Sequence, residues 1–118
     1  MSVGYKDLKV WQKSMDLAEE VYHLIDLLPN KEIYSLADQM RRAAVSVPSN
    51  IAEGQQRRTP KEFLNYLSVA RGSLAELETQ LLLCVRFNYI HEYKIGRALN
   101  LCNEIGLMLI ALMKTIED

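Results

Sequence analysis

Apolar residues recur along most of the chain at the three- and four-residue intervals of an α-helix, in four separable segments. The first segment runs from about Leu8 to Leu28 and carries two adjacent apolar stripes, a wider apolar face than a coiled-coil seam has. Pro29 ends it, because proline cannot continue the hydrogen-bond ladder. One stripe comprises Leu8, Trp11, Met15, Ala18, Tyr22 and Ile25, and the other comprises Leu17, Val21, Leu24 and Leu28.

The second segment begins between Asn30 and Ser35 and runs to about Glu53. Ser35 and Asp38 have the spacing of a capping box, with aspartate in place of glutamate. Gly54 follows the last apolar turn, and we expect it to adopt the left-handed conformation that often ends a helix.

A proline lies inside the second segment. Pro48 cannot donate to the carbonyl group of Ala44, and the loss costs about 3 kcal/mol in a helix interior. Because Val47 would make a poor N-cap for a new helix, we expect one continuous helix that is kinked at Pro48. The Ser46 hydroxyl or a neighbouring helix could satisfy the freed backbone group.

The third segment has the clearest beginning. Thr59-Pro60-Lys61-Glu62 supplies an N-cap threonine, a proline at the first helical position and a glutamate at the third. A seam of alternating four- and three-residue steps then continues to about Asn88. Gly72-Ser73 near the middle would let another backbone approach closely. The seam consists of Phe63, Leu67, Ala70, Leu74, Leu77, Leu81, Cys84 and Asn88.

The fourth segment runs from about Tyr93 to Ile116 and is apolar without a break from residue 107 to residue 113. A helix that is apolar all round is buried all round, whereas a lone four-helix bundle leaves one side of each helix in water. We therefore expect copies of the chain to associate here; the alternative is a locally apolar surface. The expected interface residues are Leu107, Met108, Ile110, Ala111 and Met113.

Four helical segments with short connections predict a single all-α domain over residues 1–118. Only 5 glycines and 3 prolines punctuate the 118 residues, too few for an all-β domain with many turns. Short connections place consecutive helices antiparallel, so we expect an up-down-up-down four-helix bundle. Residues 1–7 are polar and are expected to form a flexible N-terminus. The six tyrosines fall mostly near helix ends, where packing with the hydroxyl at the water boundary is expected.

Three blocks of the sequence resemble one known family. They are Leu8-Lys9-Val10-Trp11-Gln12, the run from Arg41-Arg42 to Glu53-Gly54, and the run from Ala70 to Leu77. The pattern resembles the bacterial four-helix-bundle proteins encoded within intervening sequences of the large-subunit ribosomal RNA gene, and it covers nearly the whole chain. The resemblance implies a ring of copies, usually a homopentamer, and brings no established activity with it. The pattern is also similar to the accessory protein of diversity-generating retroelements, which binds nucleic acid and a reverse transcriptase through a basic surface.

Charge is unevenly distributed, although the net charge is only −1. Residues 41–71 hold six basic and two acidic side chains, so we expect a basic patch on the hairpin of helices two and three, with Arg42 near Arg71. The alternative is that Arg41, Arg42 and Arg71 pair with Glu53, Glu76 or Glu78, and that the other cations are simply solvated. The candidate nucleic-acid-binding residues are Arg41, Arg42, Arg57, Arg58, Lys61 and Arg71.

Residues typical of catalysis or metal binding are sparse. Ser46, Asn50 and Glu53 have no histidine near them in sequence to act as a base, so polar bonds that secure the helix are expected instead. Glu20 and His23 form a Glu-x-x-His unit, but a di-iron bundle site needs two such units and two more glutamates. We expect no enzyme activity, no metal or other cofactor, and no small-molecule substrate.

The cysteines and the N-terminus bear on the compartment. Cys84 and Cys102 fall at apolar helix positions, where buried free thiols suited to a reducing cytosol are expected. No signal peptide is visible, and no run approaches the roughly 20 apolar residues that span a bilayer. The sequence therefore predicts a cytoplasmic, self-assembling bundle with no membrane partner, which binds structured RNA or a nucleoprotein. The alternative is a homo-oligomeric scaffold for protein interactions without nucleic-acid affinity.

Overall fold

Within residues 4–117, which the computed structural model describes, four α-helices pack as a bundle of 47 × 25 × 20 Å. Helix α1 spans Lys9–Ile25, α2 spans Leu36–Gln55, α3 spans Pro60–Arg86 and α4 spans Gly96–Glu117. Both α1 and α3 pack on α2 and on α4, so the helices follow one another around the bundle in chain order. The all-α, up-down-up-down bundle expected from the sequence is confirmed.

The most extensive contact joins α2 and α3, and a glycine permits their closest approach. A Cβ atom on Gly54 would lie 2.7 Å from the Cβ of Tyr66 and 3.1 Å from the Cδ1 of Phe63. The expectation of a left-handed Gly54 is wrong, because no glycine among the described residues has a positive φ. Asn88, just beyond α3, has that conformation with a φ of 61°. Gly72, where the sequence suggested a close approach, has no atom within 4 Å of its Cβ position in the subunit.

Helix α2 runs through Pro48 without a break, as expected. Two residues on either side of Pro48, polar side chains bond to each other and to α3. The Oγ of Ser46 lies 2.8 Å from the Oγ of Ser73, and Nδ2 of Asn50 donates to the carbonyl oxygen of Ser46 at 2.8 Å and to its Oγ at 2.9 Å. The expected polar bonds near the proline therefore exist, and they fix the register of α2 on α3.

The core confirms the seam of α3 and distinguishes the two stripes of α1. Leu67 to Cys84 of the seam are buried. On α1, Leu17, Val21 and Leu24 of one stripe are buried. In the other stripe Met15 and Tyr22 are exposed, and Ile25 is buried. The buried stripe faces inward because α1 lies between α2 and α4, and neither stripe is marked for that position by its own sequence.

The two predicted N-caps have different outcomes. Thr59 caps α3 as expected, since its Oγ1 accepts a hydrogen bond from the backbone N–H of Glu62 at 3.2 Å. Ser35 does not cap α2 with its side chain; its Oγ donates to Oε1 of Glu32 at 2.6 Å. The same Glu32 oxygen accepts from the backbone N–H of Leu36 at 3.3 Å, so Glu32 supplies the cap.

The described part of the N-terminal segment has local secondary structure and one aromatic contact. Tyr5–Asp7 forms one turn of 3₁₀-helix, and the ring of Tyr5 packs edge-on against Trp11 with centroids 5.4 Å apart. Residues 1–3, which the same expectation covered, lie outside the described residues.

Candidate interaction surfaces

The six basic residues predicted to form one patch are spread over roughly half of the 47 Å length of the bundle. Arg41 sits near the start of α2 and Arg57 just beyond its end, roughly 24 Å apart at 1.5 Å per residue. That distance is about three Debye lengths at physiological salt, so the two charges do not add to one local field. Arg42 lines a groove between α2 and α3, whereas Arg71 lines a groove between α3 and α4. Arg42 and Arg71 therefore line different grooves.

Three of the six cations do come together, at the turn between α2 and α3. We call Arg57, Arg58 and Lys61 the basic tip. Nη2 of Arg57 donates to Oε1 of Glu53 at 3.0 Å and to the Tyr66 hydroxyl at 2.7 Å. The Tyr66 hydroxyl and the Glu53 carboxylate raise the pKa of Arg57. The side chains of Arg58 and Lys61 are exposed and make no hydrogen bond or ion pair within residues 4–117.

The arginines at the start of α2 are engaged locally. Nε of Arg42 lies 3.1 Å from Oδ2 of Asp38, one turn earlier on the same helix. Nη1 of Arg41 reaches the backbone carbonyl of Ile33 at 3.5 Å. Neither arginine takes a partner among the glutamates that the sequence offered. Because the Arg42 side chain is largely exposed, its ion pair is worth less than about 1 kcal/mol and leaves the charge open to other anions.

The outer side of α4 carries the apolar stretch for which the sequence predicted a contact. Leu107 is 62% exposed and Ile110 is 37% exposed, and Ala111 is exposed beside them. Met108 and Met113 are partly buried against the core of their own subunit. Leu107 and Ile110 line a groove of about 240 Å³ between α3 and α4. The five expected interface residues thus divide into three that face outward and two that also serve the core.

Helix α4 is long and apolar enough, by length and composition alone, to cross a membrane. The sequence-based expectation that no run approaches this length did not anticipate the finding. In the bundle α4 packs on α1 and α3, yet only 22% of its apolar window is buried within the subunit. The outer side of this helix therefore carries apolar surface, at Leu107, Ile110 and Ala111, that its own subunit does not cover.

A second apolar surface lies on the opposite side of the bundle, between α1 and α2. Trp11, Met15 and Val45 line a groove of about 410 Å³ there, together with Pro48. Met15 and Val45 are exposed in the subunit. Because the helices follow one another in chain order, this groove and the groove between α3 and α4 face in opposite directions.

One end of the bundle brings together aromatic side chains that the sequence assigned to packing. The connection between α1 and α2 lies against the connection between α3 and α4, where the Tyr89 hydroxyl donates to Oε2 of Glu32 at 2.7 Å. Tyr34, in the first connection, is 94% exposed, and Tyr93, in the second, is 77% exposed. The two segments are distant in sequence, so local spacing gives no sign that they meet. We call Tyr34, Phe87, Tyr89, His91 and Tyr93 the aromatic end.

Reactive groups are few and are shielded. Within residues 4–117, no three His, Cys, Asp or Glu side chains are grouped so that they could hold a metal ion. Glu20 of the Glu-x-x-His unit instead accepts from Nη1 of Arg97 at 3.1 Å. Burial raises the pKa of the Cys84 thiol to about 11 and that of Cys102 to about 12. Both thiols are therefore protonated at neutral pH.

Comparisons with known proteins agree with this architecture. A protein of unknown function from the S23 ribosomal protein family of Bacteroides thetaiotaomicron has a similar structure, with a TM-score of 0.82 and 29% sequence identity over 89% of this chain and 98% of that chain. No curated protein is significantly similar in sequence. The family model of the 23S rRNA-intervening sequence proteins matches residues 6–111. This chain, a four-helix bundle over nearly the whole matched range, belongs to the 23S rRNA-intervening sequence protein family.

Proposed function

We propose that this protein is a non-enzymatic, cytoplasmic bundle that assembles into a ring of copies and binds RNA through its basic tip. The observation that carries the assembly is the exposure of Leu107 and Ile110 on a helix whose apolar window is only 22% buried. Fully burying one such side chain gains about 1.5–3 kcal/mol, so covering this surface with a second copy is favourable.

Two unlike apolar surfaces on opposite sides of one subunit favour a ring over a two-fold dimer. A two-fold interface uses the same patch on both partners, whereas a head-to-tail contact pairs two different patches. The α3–α4 groove beside Leu107 and the α1–α2 groove beside Met15 are such a pair. Head-to-tail contacts that close give a ring, and the family resemblance of the sequence implies five copies.

The case for RNA rests on the basic tip. Arg58 and Lys61 have no acidic partner within the described residues, and Arg57 is held in place by Glu53 and Tyr66. In a ring the tip recurs once per copy. Lysine and arginine contacts to phosphate give affinity without sequence preference, and that affinity falls steeply with salt. Structured RNA offers the densely spaced phosphates that such a cluster recognises.

The test of assembly is a single substitution on α4. Leu107→Glu places a charge on a side chain that its own subunit leaves exposed, so the subunit should still fold. Light scattering after gel filtration should then give the 13.6 kDa monomer, and the parent a multiple of that mass. Val69→Glu, at an exposed apolar position of α3 outside both grooves, is the matched control and should leave the mass unchanged. A monomeric parent at micromolar concentration would refute the ring.

The test of RNA binding reverses the charge of the tip. Arg57→Glu with Arg58→Glu should weaken binding of a structured RNA hairpin, measured by fluorescence anisotropy, by at least about tenfold at low salt. Arg57→Lys with Arg58→Lys keeps the charge and should retain most of the affinity. Unchanged RNA retention in the double glutamate variant would refute the role of the tip. Sequencing nucleic acid recovered from cells with the parent protein at low salt would identify its RNA.

The second candidate is a scaffold for protein interactions without nucleic-acid affinity. It is favoured by the ion pairs of Arg42 with Asp38 and of Arg57 with Glu53, which give two of the six expected phosphate ligands an acidic partner within the subunit. A parent protein that assembles but binds no RNA at low salt would favour this candidate.

A further inference from the structure

We propose that the aromatic end binds a single-stranded segment of RNA by stacking its bases on exposed rings. Tyr34 is 94% exposed, Tyr93 is 77% exposed and Phe87 is 51% exposed, so much of the surface of each ring is uncovered in the folded subunit. Aromatic rings at such exposure contribute little to the core. Every base has a flat face that can stack on a ring, which suits binding without strict sequence preference.

Cations lie close to these rings. Nζ of Lys94 is 6.0 Å from the centroid of Tyr93, and Nζ of Lys31 is 5.8 Å from the centroid of Tyr89. Arg41, which reaches the carbonyl of Ile33, adds a positive charge one residue from Tyr34. The two lysine ammonium groups lie over their rings, close enough to pair with the phosphate of a base that stacks there. Rings interleaved with lysine and arginine are the combination that single-strand-binding surfaces use.

Four of the five rings of the aromatic end, those of Phe87, Tyr89, His91 and Tyr93, are held by contacts within the subunit. The hydrogen bond from Tyr89 to Glu32 joins the two connections, and Glu32 also accepts from the Ser35 hydroxyl at 2.6 Å. Phe87 packs edge-on against Tyr89 with centroids 5.8 Å apart, and His91 stacks on Tyr93 at 5.6 Å. Surfaces that are already ordered lose less conformational freedom on binding.

Because acidic and basic side chains are mixed at this end, base stacking should contribute more to RNA affinity there than attraction of phosphates does. Glu32 and Glu92 lie among the same residues as Lys31 and Lys94, so the local field is weak. A duplex, whose bases are stacked on each other, offers these rings only its outer phosphates. The aromatic end should therefore prefer single strands, with an affinity that falls less steeply with salt than that of the basic tip.

The experiment uses the full chain and a fluorescein-labelled ten-nucleotide RNA without self-complementarity, followed by anisotropy. Tyr34→Ala with Tyr93→Ala should weaken binding by at least about tenfold, because each base stacked on an aromatic ring contributes measurably. Tyr34→Phe with Tyr93→Phe keeps both rings and should stay within about twofold of the parent. Both tyrosines are exposed, so circular dichroism should show unchanged helicity and melting for every variant.

A double alanine variant that binds the ten-mer as tightly as the parent would overturn the proposal. So would equal loss in the phenylalanine variant, which would assign binding to the hydroxyls, or a parent that prefers a duplex of the same length. Crosslinking of the ten-mer with 4-thiouridine should place adducts at the aromatic end. The proposal does not depend on the basic tip, since Arg57→Glu with Arg58→Glu tests the opposite end of α2 with a different RNA.

Discussion

The substitution Gly54→Ala tests the contact that brings α2 and α3 together. A methyl group at this position would lie 2.7 Å from the Cβ of Tyr66, 3.1 Å from the Cδ1 of Phe63 and 3.4 Å from the Phe63 carbonyl oxygen. Carbon atoms pack best at about 3.5–4.0 Å. The Cβ of Tyr66 is fixed to the backbone of α3 and cannot rotate away. The two helices must therefore separate by roughly 1 Å at this level, a shift taken from the difference between those distances.

Two opposing contributions, overpacking and helix propensity, set the change in the free energy of unfolding. Overpacking of this kind costs about 1–3 kcal/mol. Alanine is better than glycine in a helix interior by about 1 kcal/mol, but Gly54 lies in the last turn of α2, where the gain is smaller. We expect Gly54→Ala to lower the free energy of unfolding by about 1–2 kcal/mol.

Gly72→Ala is the matched control, because this glycine lies inside α3 with no atom within 4 Å of its Cβ position. It should raise the free energy of unfolding by up to about 1 kcal/mol, so that the two substitutions act in opposite directions. Urea unfolding followed by circular dichroism, at one fixed protein concentration, measures both. A Gly54→Ala variant as stable as the parent would show that α2 and α3 accommodate the methyl group without cost.

Three further predictions concern buried thiols, one carboxylate and one amide. Cys84 and Cys102, with their raised pKa values and burial, should react with Ellman's reagent near pH 8 only in denaturant; rapid labelling of the native protein would contradict this. Hydrogen bonds from Ser35 and Tyr89 lower the pKa of Glu32 below its usual 4.5. The ionised carboxylate therefore stabilises the fold above pH 4.5, and this contribution is lost as the pH falls through the native pKa. The urea midpoint of Glu32→Gln should consequently fall less than that of the parent between neutral pH and about pH 3. Gln80 is buried and its Oε1 has no partner among the described residues, so Gln80→Met should raise the unfolding free energy by about 1 kcal/mol; a lower urea midpoint would contradict this.

The sequence predicts the bundle well because helix periodicity is a local property. The seam from Leu67 to Cys84 is buried as its spacing indicates, and Thr59 caps α3 through contacts within four residues. Features that depend on a neighbouring helix were predicted less well. Two adjacent stripes on α1 look alike until the positions of α2 and α4 are known. The sequence alone does not distinguish a glycine that permits close packing, such as Gly54, from one that needs a positive φ.

The candidate surfaces were predicted less well, for a geometric reason. Basic residues between Arg41 and Arg71 are close in sequence, but a helical hairpin spreads them over two helices and two grooves. The residues at the turn, Arg57 to Lys61, remain close in space, whereas Arg41 and Arg42 lie at the other end of α2. The aromatic end shows the converse, since Tyr34 and Tyr93 belong to separate connections that the Tyr89–Glu32 hydrogen bond joins. A cluster of functional residues in the sequence therefore predicts a cluster in space far better at a turn than along a helix.

The proposed contacts between copies and the proposed RNA sites use different parts of the subunit. The apolar grooves beside Met15 and Leu107 lie on the long sides of the bundle, whereas Arg58 and Tyr93 belong to connections at its two ends. Lateral association therefore leaves both ends uncovered and repeats each of them once per copy. Linked sites bind a single RNA with a high effective concentration once the first is occupied, so sites that are weak alone bind tightly together. If the proposed ring forms, the exposed apolar surface of α4 would thus supply the repetition that the proposed RNA binding requires of a subunit with a net charge of −1.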